Sequence, residues 1–471
     1  MSKYKELFLN IGLFALNTVS TKIITFLLVP LYTYYLDKTQ YGITDMAITV
    51  IGLVTPLATL SIADSTLRYA LDDSQNADAY IVIGLRITIL SCILVVLMSP
   101  VLNLEIFGGL GQYKLLFILS YTVSSFQQFF GEVYRAINQV KVIPVASIIG
   151  SLSTAFLAYI FLAKIRLSIN GYFYSVIIGG ILAILVYIIC GKYAKYIKKM
   201  VTYRVHVDKI SLMIRYSLPL IPNALFWWIG TSVNRFFITA MMSIAASGLF
   251  AAATKIPTML NIVCGIFQQA WTLSAFKEYK SKNISDFFSK VYKFFRAGMV
   301  ISASAVIVFA SPLARLLLQK EFYSSWTLVP VLLVAFYFNT LNAFYGTIYT
   351  ASMHTRTIFS TTVVGSMAII IATVLLVPHF GLFGAAIAMV ISNFIVYILR
   401  VINSSKWITV EVDYRINIPT MLLLVVQAAL VSILGEGARE CSIICFTLIV
   451  VVETLYLFND GKRIMSKVLA R

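Results

Sequence analysis

Charged residues are scarce in this sequence of 471 residues, because they make up only 12% of it and just 19 of them are acidic. Soluble domains are about 25% charged. Hydrophobic residues account for 60% of the chain, so no segment can form a large soluble domain. This composition excludes a large soluble catalytic or ATPase domain and predicts a polytopic membrane protein.

Cysteine and histidine, which bind zinc in many proteins, are also rare, with five and three residues. The cysteines form no Cys-x-x-Cys motif, and the histidines lie far from them in the sequence. The phosphate-binding glycine-rich loop, the His-Glu-x-x-His motif and the nucleophile elbow are absent as well. We therefore expect no metal, no cofactor and no catalytic residue, and the chain is predicted not to be an enzyme.

Fourteen apolar stretches of about 18–26 residues predict an all-α fold, since each can cross about 30 Å of hydrocarbon as a helix. With fourteen spans, 27 of the 37 Lys and Arg residues lie on or near the side that carries both termini, 7 on the other side and 3 inside spans. By the positive-inside rule, both termini are cytoplasmic. The net charge of +18 therefore indicates orientation rather than nucleic-acid binding.

The two halves of the sequence resemble each other. KTQYGITDMAITV after the first span has a counterpart in IAASGLFAAATKI after the seventh, with Gly42 and Gly248 in register. This similarity predicts a parallel repeat of two six-helix lobes, with a substrate path between them. The predicted divisions are an N-lobe at 1–190, a basic cytoplasmic linker at 191–215, a C-lobe at 216–404, and two C-terminal helices with a tail at 405–471.

A second basic segment, residues 276–296, has aromatic residues at helical spacing. Phe287, Phe288, Phe294 and Phe295 recur there among lysines. Basic amphipathic helices of this kind commonly lie flat in the membrane interface, and we expect such a helix on the cytoplasmic side.

Polar residues inside the predicted spans gather on single helix faces. A cation in lipid costs about 3 kcal/mol on insertion scales, so buried cations need a polar cavity, and a cationic cavity favours an anionic cargo. Hydrogen bonding between helices is the alternative for any single Asn or Thr. The candidate binding residues are Lys22, Arg235, Lys255, Arg68, Asn17, Asn223, Asn261, Gln268, Gln269 and Trp227.

Arg235 is the strongest candidate, because its planar fork can bind phosphate bidentately and it lies in the middle of a span. The alternative is a structural ion pair with one of the few acids near the inner faces, namely Asp45, Asp64 or Glu132. Arg68 follows Asp64 by four residues and forms either an ion pair with it or a gate at the cytoplasmic mouth. Lys255 starts a span, where it either lines the cavity or extends to the outer interface.

Segments 215–238 and 248–279 (RYSLPLIPNALFWWIGTSVNRFFI and GLFAAATKIPTMLNIVCGIFQQAWTLSAFKEY) resemble the polysaccharide flippases. These Wzx-type O-antigen and capsule flippases belong to the multidrug/oligosaccharidyl-lipid/polysaccharide exporter superfamily. The resemblance implies two six-helix bundles, often with two further helices, around a cationic cavity. One departure is visible, because the family often has Asp-Arg where this chain has Asn234-Arg235. That change is expected to leave Arg235 without a neighbouring carboxylate.

The resemblance also implies a function, namely alternating-access transport of undecaprenyl-diphosphate-linked oligosaccharide to the outer leaflet of the bacterial cytoplasmic (inner) membrane. The product would be a surface polysaccharide such as O-antigen, capsule or exopolysaccharide. Arg235 and Lys22 would neutralise the diphosphate, with Lys255 and Arg68 helping at the two mouths. The amide side chains would bond sugar hydroxyls, and Trp227 or Trp228 would stack on a sugar. The expected partners are this substrate, membrane lipids, a polysaccharide polymerase and a chain-length regulator, and the expected state is a monomer.

Two alternative functions follow from the same residues. A multidrug or cation antiporter of the same superfamily would usually need an acidic cavity for cationic drugs. A membrane polysaccharide polymerase would be an enzyme and would carry a large outward loop with catalytic Arg or His, whereas the outward loops here are short.

Overall fold

The computed structural model describes residues 21–190, 207–279 and 283–469. These residues form helices and turns without a β-strand, which confirms the predicted all-α fold. Helices suit a chain in hydrocarbon, since each satisfies its own backbone hydrogen bonds. The chain divides into two compact units, Met1–Gly248 (unit 1) and Leu249–Arg471 (unit 2). The lobes and linker predicted from the repeat are a separate division and stay a prediction.

Unit 1 contains ten helices and the start of an eleventh among the described residues. They are α1 (21–35), α2 (Lys38–Ala58), α3 (Ile62–Asp72), α4 (Ala77–Met98), α5 (Lys114–Ala136), α6 (Val142–Ala158), α7 (Ser168–Cys190), α8 (Val207–Ser217), α9 (Leu220–Ser232), α10 (Asn234–Met241) and α11 (Ile244–Ala253). A π-helical turn, Tyr159–Lys164, extends α6. Short 3₁₀ turns at Ser74–Asn76, Ser99–Asn103, Glu105–Phe107 and Leu110–Tyr113 complete the connections.

Helix α2 packs backbone to backbone against the start of α11. A Cβ added at Gly42 would lie 2.2 Å from the carbonyl oxygen of Ile244, and one added at Gly248 would lie 2.2 Å from that of Lys38. Glycine allows such an approach because it has no side chain to fill the gap. The two glycines that the repeat placed in register therefore line one tight contact in unit 1.

Unit 2 contains the remaining helices of the described chain. They are α12 (Lys255–Glu278), α13 (Ile284–Val308), α14 (Ala310–Leu317), α15 (Val329–Ala351), α16 (Thr355–Ser404), α17 (Tyr414–Leu434) and α18 (Arg439–Leu469). Short 3₁₀ segments, Lys320–Leu328 and Gly435–Ala438, precede α15 and α18.

Helix α16 has 50 residues but is broken at Gly381, whose φ of 56° and ψ of −131° are non-helical. A left-handed φ favours glycine, because other residues place Cβ against the backbone there. Pro378 lies three residues earlier and removes one backbone donor. The break falls between two of the predicted spans, 358–378 and 382–402.

The interfacial helix expected at 276–296 is wrong. Most of that segment is the first half of α13, a single 25-residue helix in which Phe288 and Phe295 are buried. Phe295 stacks on Phe267 with ring centroids 4.3 Å apart. The helical periodicity is confirmed, but Phe288 and Phe295 pack into the core of unit 2 rather than against lipid headgroups, whereas Phe294 is 60% exposed. Residues 280–282 of the segment lie outside the described residues.

Eight helical stretches of the described chain are long and apolar enough to cross a membrane. Two of them, 356–404 and 414–458, have 49 and 45 residues, which is enough for two spans each at about 20 residues per span. The chain is a multi-pass membrane protein. The count of fourteen spans stays a prediction.

Candidate functional site

Arg235 forms an ion pair with Asp45 in unit 1. Its Nε donates to the Asp45 Oδ2 at 2.7 Å, and its Nη1 donates to the Thr231 carbonyl at 3.3 Å. The Arg235 and Asp45 side chains are 16% and 7% exposed. The structural ion pair, one of the two alternatives for Arg235, is therefore formed in this conformation.

The ends of α2 and α10 position the two partners. Asp37 caps α2 in a reciprocal box, in which the Gln40 backbone N–H donates to the Asp37 side chain and the Gln40 side chain accepts from the Asp37 backbone. Asp45 follows two turns later. Trp228 ties α9 to α2, since its Nε1 donates to the Thr49 carbonyl at 3.0 Å.

The residue next to Arg235 is not a carboxylate, as expected, but Arg235 still has a carboxylate partner. Asn234, which stands where the family often has Asp, is 1% exposed, and the carboxylate instead comes from Asp45, 190 residues earlier in the chain. In the sequence, the nearest possible partner is the residue before Arg235, whereas in the fold Asp45 of α2 lies next to the Arg235 guanidinium. Asp45 was among the three acids considered as partners.

The pair at Arg235 differs from a second buried pair, Arg296 with Glu453 in unit 2. Arg296 holds Glu453 bidentately at 2.6 and 2.5 Å, and both side chains are at most 2% exposed. Arg235 uses one nitrogen for Asp45, and three of its five N–H groups have no partner within the described chain. Arg235 is thus able to bind a second anion, whereas Arg296 gives two N–H groups to Glu453 and a third to the Thr420 hydroxyl, with its side chain almost fully buried.

The other predicted cations lie in less enclosed places. Lys22 is exposed on α1 and has no hydrogen bond or ion pair within the described residues. Arg68 pairs with Asp72 at 3.1 Å, with the two side chains 58% and 50% exposed. The ion pair with Asp64, one of the two alternatives for Arg68, is therefore wrong, because the i,i+4 partner is Asp72. Lys255 is half-buried at the first residue of α12 in unit 2.

Asp64 instead lies in the field of Arg135. Asp64 is exposed overall, but partial desolvation of its carboxyl raises the pKa above its ordinary value, and Arg135 partly opposes this shift. Arg135 itself donates to Glu132 at 2.8 Å, while the second Glu132 oxygen is buried without a hydrogen-bond partner in the described chain. The three residues form a small acidic cluster in unit 1.

The predicted neutral residues divide between the two units. In unit 1, Asn223 is exposed and Trp227 is 65% exposed, whereas Trp228 is buried against α2, so only Trp227 can stack on a ligand. In unit 2, Asn261 is exposed and the Gln268 Oε1 accepts from Thr347 at 3.5 Å. Asn17 and the side chain of Gln269 lie outside the described residues.

A cavity of about 580 Å³ lies inside unit 1 between α1, α5, α6 and α7, and we call it the polar cavity. Eleven of the seventeen described residues that line it carry a hydroxyl or an amide, and none of the seventeen is charged. They are Thr21, Thr25, Tyr32, Ser124, Gln127, Gln128, Ser147, Ser151, Thr154, Tyr172 and Tyr187, together with Ile24, Leu28, Gly150, Val176, Gly180 and Ala183.

Sequence reasoning missed this lining. The candidate cations Lys22, Arg235 and Lys255 came from the first, seventh and eighth spans, whereas the polar cavity is built mainly from α5, α6 and α7. A signal was present, because Ser124 and Gln128 are four residues apart and Ser147, Ser151 and Thr154 follow at steps of four and three. Such spacing places side chains on one helix face.

Similarity to a known family extends over more than half of the sequence. The family described as "Polysaccharide biosynthesis protein" matches residues 7–272. No curated protein matches the sequence.

Solved structures match the fold over most of the chain. A lipid II flippase, MurJ, in an inward closed conformation matches with a TM-score of 0.72 and 15% identity, covering 95% of this chain and 99% of its own. An inward-facing multidrug resistance MATE family transporter of the MOP superfamily matches at 0.69 and 14%, covering 83% and 97%. A mutant of the Vibrio cholerae MATE transporter VcmN matches at 0.58 and 15%, covering 85% and 96%.

These structural matches confirm the predicted fold. The matched proteins are named as a flippase and as transporters, not as enzymes. At 14–15% identity the structures establish the fold alone. The Wzx-type assignment stays a prediction.

Proposed function

Because the chain belongs to the polysaccharide biosynthesis protein family, we propose that it is a flippase for undecaprenyl-diphosphate-linked oligosaccharide. It would carry this lipid from the cytoplasmic to the outer leaflet by alternating access, for synthesis of O-antigen, capsule or exopolysaccharide. The observation that supports the proposal is an arginine with unused donors, held in a membrane-spanning unit that also contains an uncharged polar cavity.

The Asp45 carboxylate acts in this proposal as the resting partner of Arg235. Without substrate, it neutralises a charge that would otherwise be costly in a membrane. A diphosphate offers several anionic oxygens and can take the three N–H groups that Asp45 and the Thr231 carbonyl leave unused. Release of the lipid restores the ion pair, so the cation is paired at both ends of the cycle.

Further predicted residues complete the proposed site. Lys22 is exposed on the helix whose Thr21 and Thr25 line the polar cavity, and it would add a second positive charge for the diphosphate. Arg68 and Lys255 would attract the headgroup at the two mouths. A polysaccharide polymerase and a chain-length regulator would act on the exported product. The residues that would contact the sugars are Asn17, Asn223, Asn261, Gln268, Gln269 and Trp227.

The test removes Arg235 in the bacterium that carries this chain. Arg235→Ala should abolish surface polysaccharide while lipid-linked sugar accumulates on the inner leaflet and the protein still reaches the membrane. Arg235→Lys should be partly active, because an ammonium keeps the charge but not the planar fork. Lipid extraction with mass spectrometry measures the accumulated intermediate and identifies its sugar.

Lys290→Ala is the control, since Lys290 pairs with Asp286 on an exposed surface, where its side chain is 47% exposed. This variant should export polysaccharide normally. Normal export by Arg235→Ala at wild-type membrane levels would overturn the assigned role of Arg235. A deletion strain without any accumulated lipid-linked sugar would overturn the proposed function itself.

A multidrug antiporter is the competing function, because the same fold occurs in MATE transporters. Cationic drugs need a carboxylate, yet the described lining of the polar cavity contains none, and Asp45 is paired with Arg235. Drug susceptibility of the deletion strain separates the two functions. Unchanged susceptibility together with lost polysaccharide is the expected result.

A further inference from the structure

The polar cavity has a size and a shape that suit a ligand. Its volume of about 580 Å³ lies within the range of about 300–1,000 Å³ for small-molecule sites. Close helix packing builds its walls, since a Cβ at Gly150 would lie 2.9 Å from the Ala183 side chain and one at Gly180 would lie 2.1 Å from the Val123 side chain. These close contacts between α5, α6 and α7 hold the walls of the cavity together.

Several polar groups of this lining are unused. Ser124, Gln128, Ser151 and Thr154 line the polar cavity and have no hydrogen-bond partner for their side chains within the described chain. In contrast, the Gln127 Nε2 donates to the Gly180 carbonyl at 3.1 Å. These side chains are exposed or half-buried, so they are open to a ligand in the cavity. A polar ligand can pair with them, whereas an apolar ligand would leave them without hydrogen bonds.

A smaller cavity of about 180 Å³ adjoins the polar cavity and shares Ser124, Gln127, Tyr172 and Val176 with it. Ser120 lines this smaller space. The Ser120 side chain is buried, and its hydroxyl has no partner in the described chain. Thr44, which precedes Asp45 on α2, also lines it. The uncharged polar surface thus continues to the helix that carries the partner of Arg235.

We infer that the polar cavity binds the uncharged sugar portion of the substrate, apart from the diphosphate that Arg235 holds. This inference rests on the proposed transport of a lipid-linked oligosaccharide. Sugar hydroxyls both donate and accept, as do the serine, threonine and glutamine groups of the lining. The rings of Tyr32 and Tyr172, 4.9 Å apart, add flat apolar surface beside these groups.

The absence of charge decides which part of the substrate fits. An ionised phosphate needs cationic donors when it leaves water, and no described residue of the lining supplies one. A neutral sugar needs hydrogen bonds alone. The division also allows different glycans to use one diphosphate site, since the cavity lining and not Arg235 would select the sugar.

A labelling experiment on the full-length protein in lipid nanodiscs tests the inference. The five native cysteines are first replaced, and Ser151→Cys then reports on the cavity through its rate of modification by a methanethiosulfonate reagent. The probe is the oligosaccharide released by mild acid from the lipid-linked sugar of the deletion strain. Inorganic pyrophosphate is the anionic probe.

The oligosaccharide should slow modification at position 151 by about threefold when present at twice its dissociation constant. Pyrophosphate should leave that rate unchanged. Ser153→Cys is the matched control on the same helix, because Ser153 does not line the cavity. No protection at position 151 by the oligosaccharide, or equal protection by pyrophosphate, would overturn the inference.

Transport by single variants gives a second readout. Ser151→Val and Gln128→Leu each remove one hydrogen-bonding group and should lower export by about fivefold, the effect of a typical hydrogen bond. Ser153→Val should export normally. If both cavity variants export normally while Arg235→Ala does not, the sugar inference fails and the flippase proposal stands. If the deletion strain accumulates no lipid-linked sugar, both fail together.

Discussion

The buried charges show how far single residues can be interpreted from sequence. Arg235 stood out because it interrupts an apolar stretch, and Asp45 was among its three candidate partners. Arg296 did not stand out, because it lies at the end of a predicted span, yet it holds the more deeply buried pair. A charge inside an apolar stretch indicates that an ion-pair partner or a polar cavity is needed, but only the fold shows which carboxylate is the partner.

The Arg296–Glu453 pair gives a residue-scale prediction on stability. Glu453→Gln should destabilise the protein by about 3–5 kcal/mol, because it leaves the Arg296 charge buried without its bidentate partner. Arg296→Met combined with Glu453→Leu should lose much less, since no uncompensated charge remains. Thermal unfolding of the purified protein in detergent measures the order of the variants.

The exposed pair of Lys290 and Asp286 provides the control for this prediction. Asp286→Asn should change stability by at most about 1 kcal/mol, as is typical of surface pairs. If Glu453→Gln and Asp286→Asn unfolded at the same temperature, the Arg296 charge would have to be neutralised by a group other than Glu453.

At the scale of elements, apolar length and periodicity predicted the helices well but not their partners. The break at Gly381 in α16 matched the gap between two predicted spans. The face of Phe288 and Phe295 was correctly judged apolar and wrongly assigned to lipid. An apolar helix face suits lipid and protein equally, so its periodicity cannot distinguish them. The neutral serines and glutamines of the polar cavity went unnoticed because the candidate residues were chosen around cations in other spans.

The contact between α2 and α11 gives a prediction at this scale. Gly42→Ala and Gly248→Ala should each destabilise the protein by about 1–3 kcal/mol, since a methyl group would meet a backbone carbonyl at 2.2 Å and force the helices apart. The measurement is the midpoint of thermal unfolding in detergent. Gly298→Ala on α13 is the control, because nothing in the described chain lies within 4 Å of its added Cβ.

Gly298→Ala should instead gain up to about 1 kcal/mol from the better helix propensity of alanine. If Gly42→Ala and Gly248→Ala behaved like this control, the close approach of the two helices would not exist in solution. The repeat had set these glycines in equivalent positions, but equivalence in a repeat does not by itself predict that they touch.

For the whole molecule, composition alone predicted the class, because 60% hydrophobic and 12% charged residues leave only a multi-pass membrane protein. Prediction of the family depended on the longer segments around 215–279, whose residues resemble those of a known family. Neither composition nor family resemblance tests the repeat and its lobe boundaries. The compact units divide the chain after Gly248, whereas the repeat predicts a division at the linker 191–215. Two segments can be similar in sequence without packing into separate compact units.

Membrane orientation is the prediction that belongs to the whole chain. The excess of cations on one side predicts that both termini lie in the cytoplasm. With the predicted fourteen spans, residues 105 and 437 would then lie outside, and residues 139 and 353 inside. In a cysteine-free background, Glu105→Cys and Gly437→Cys should react with a membrane-impermeant maleimide on intact cells. Gln139→Cys and Met353→Cys should react only after permeabilisation, because their thiols face the cytoplasm. Labelling at 105 from outside combined with labelling at 437 from inside would require an odd number of spans between them, and the predicted ten would be wrong.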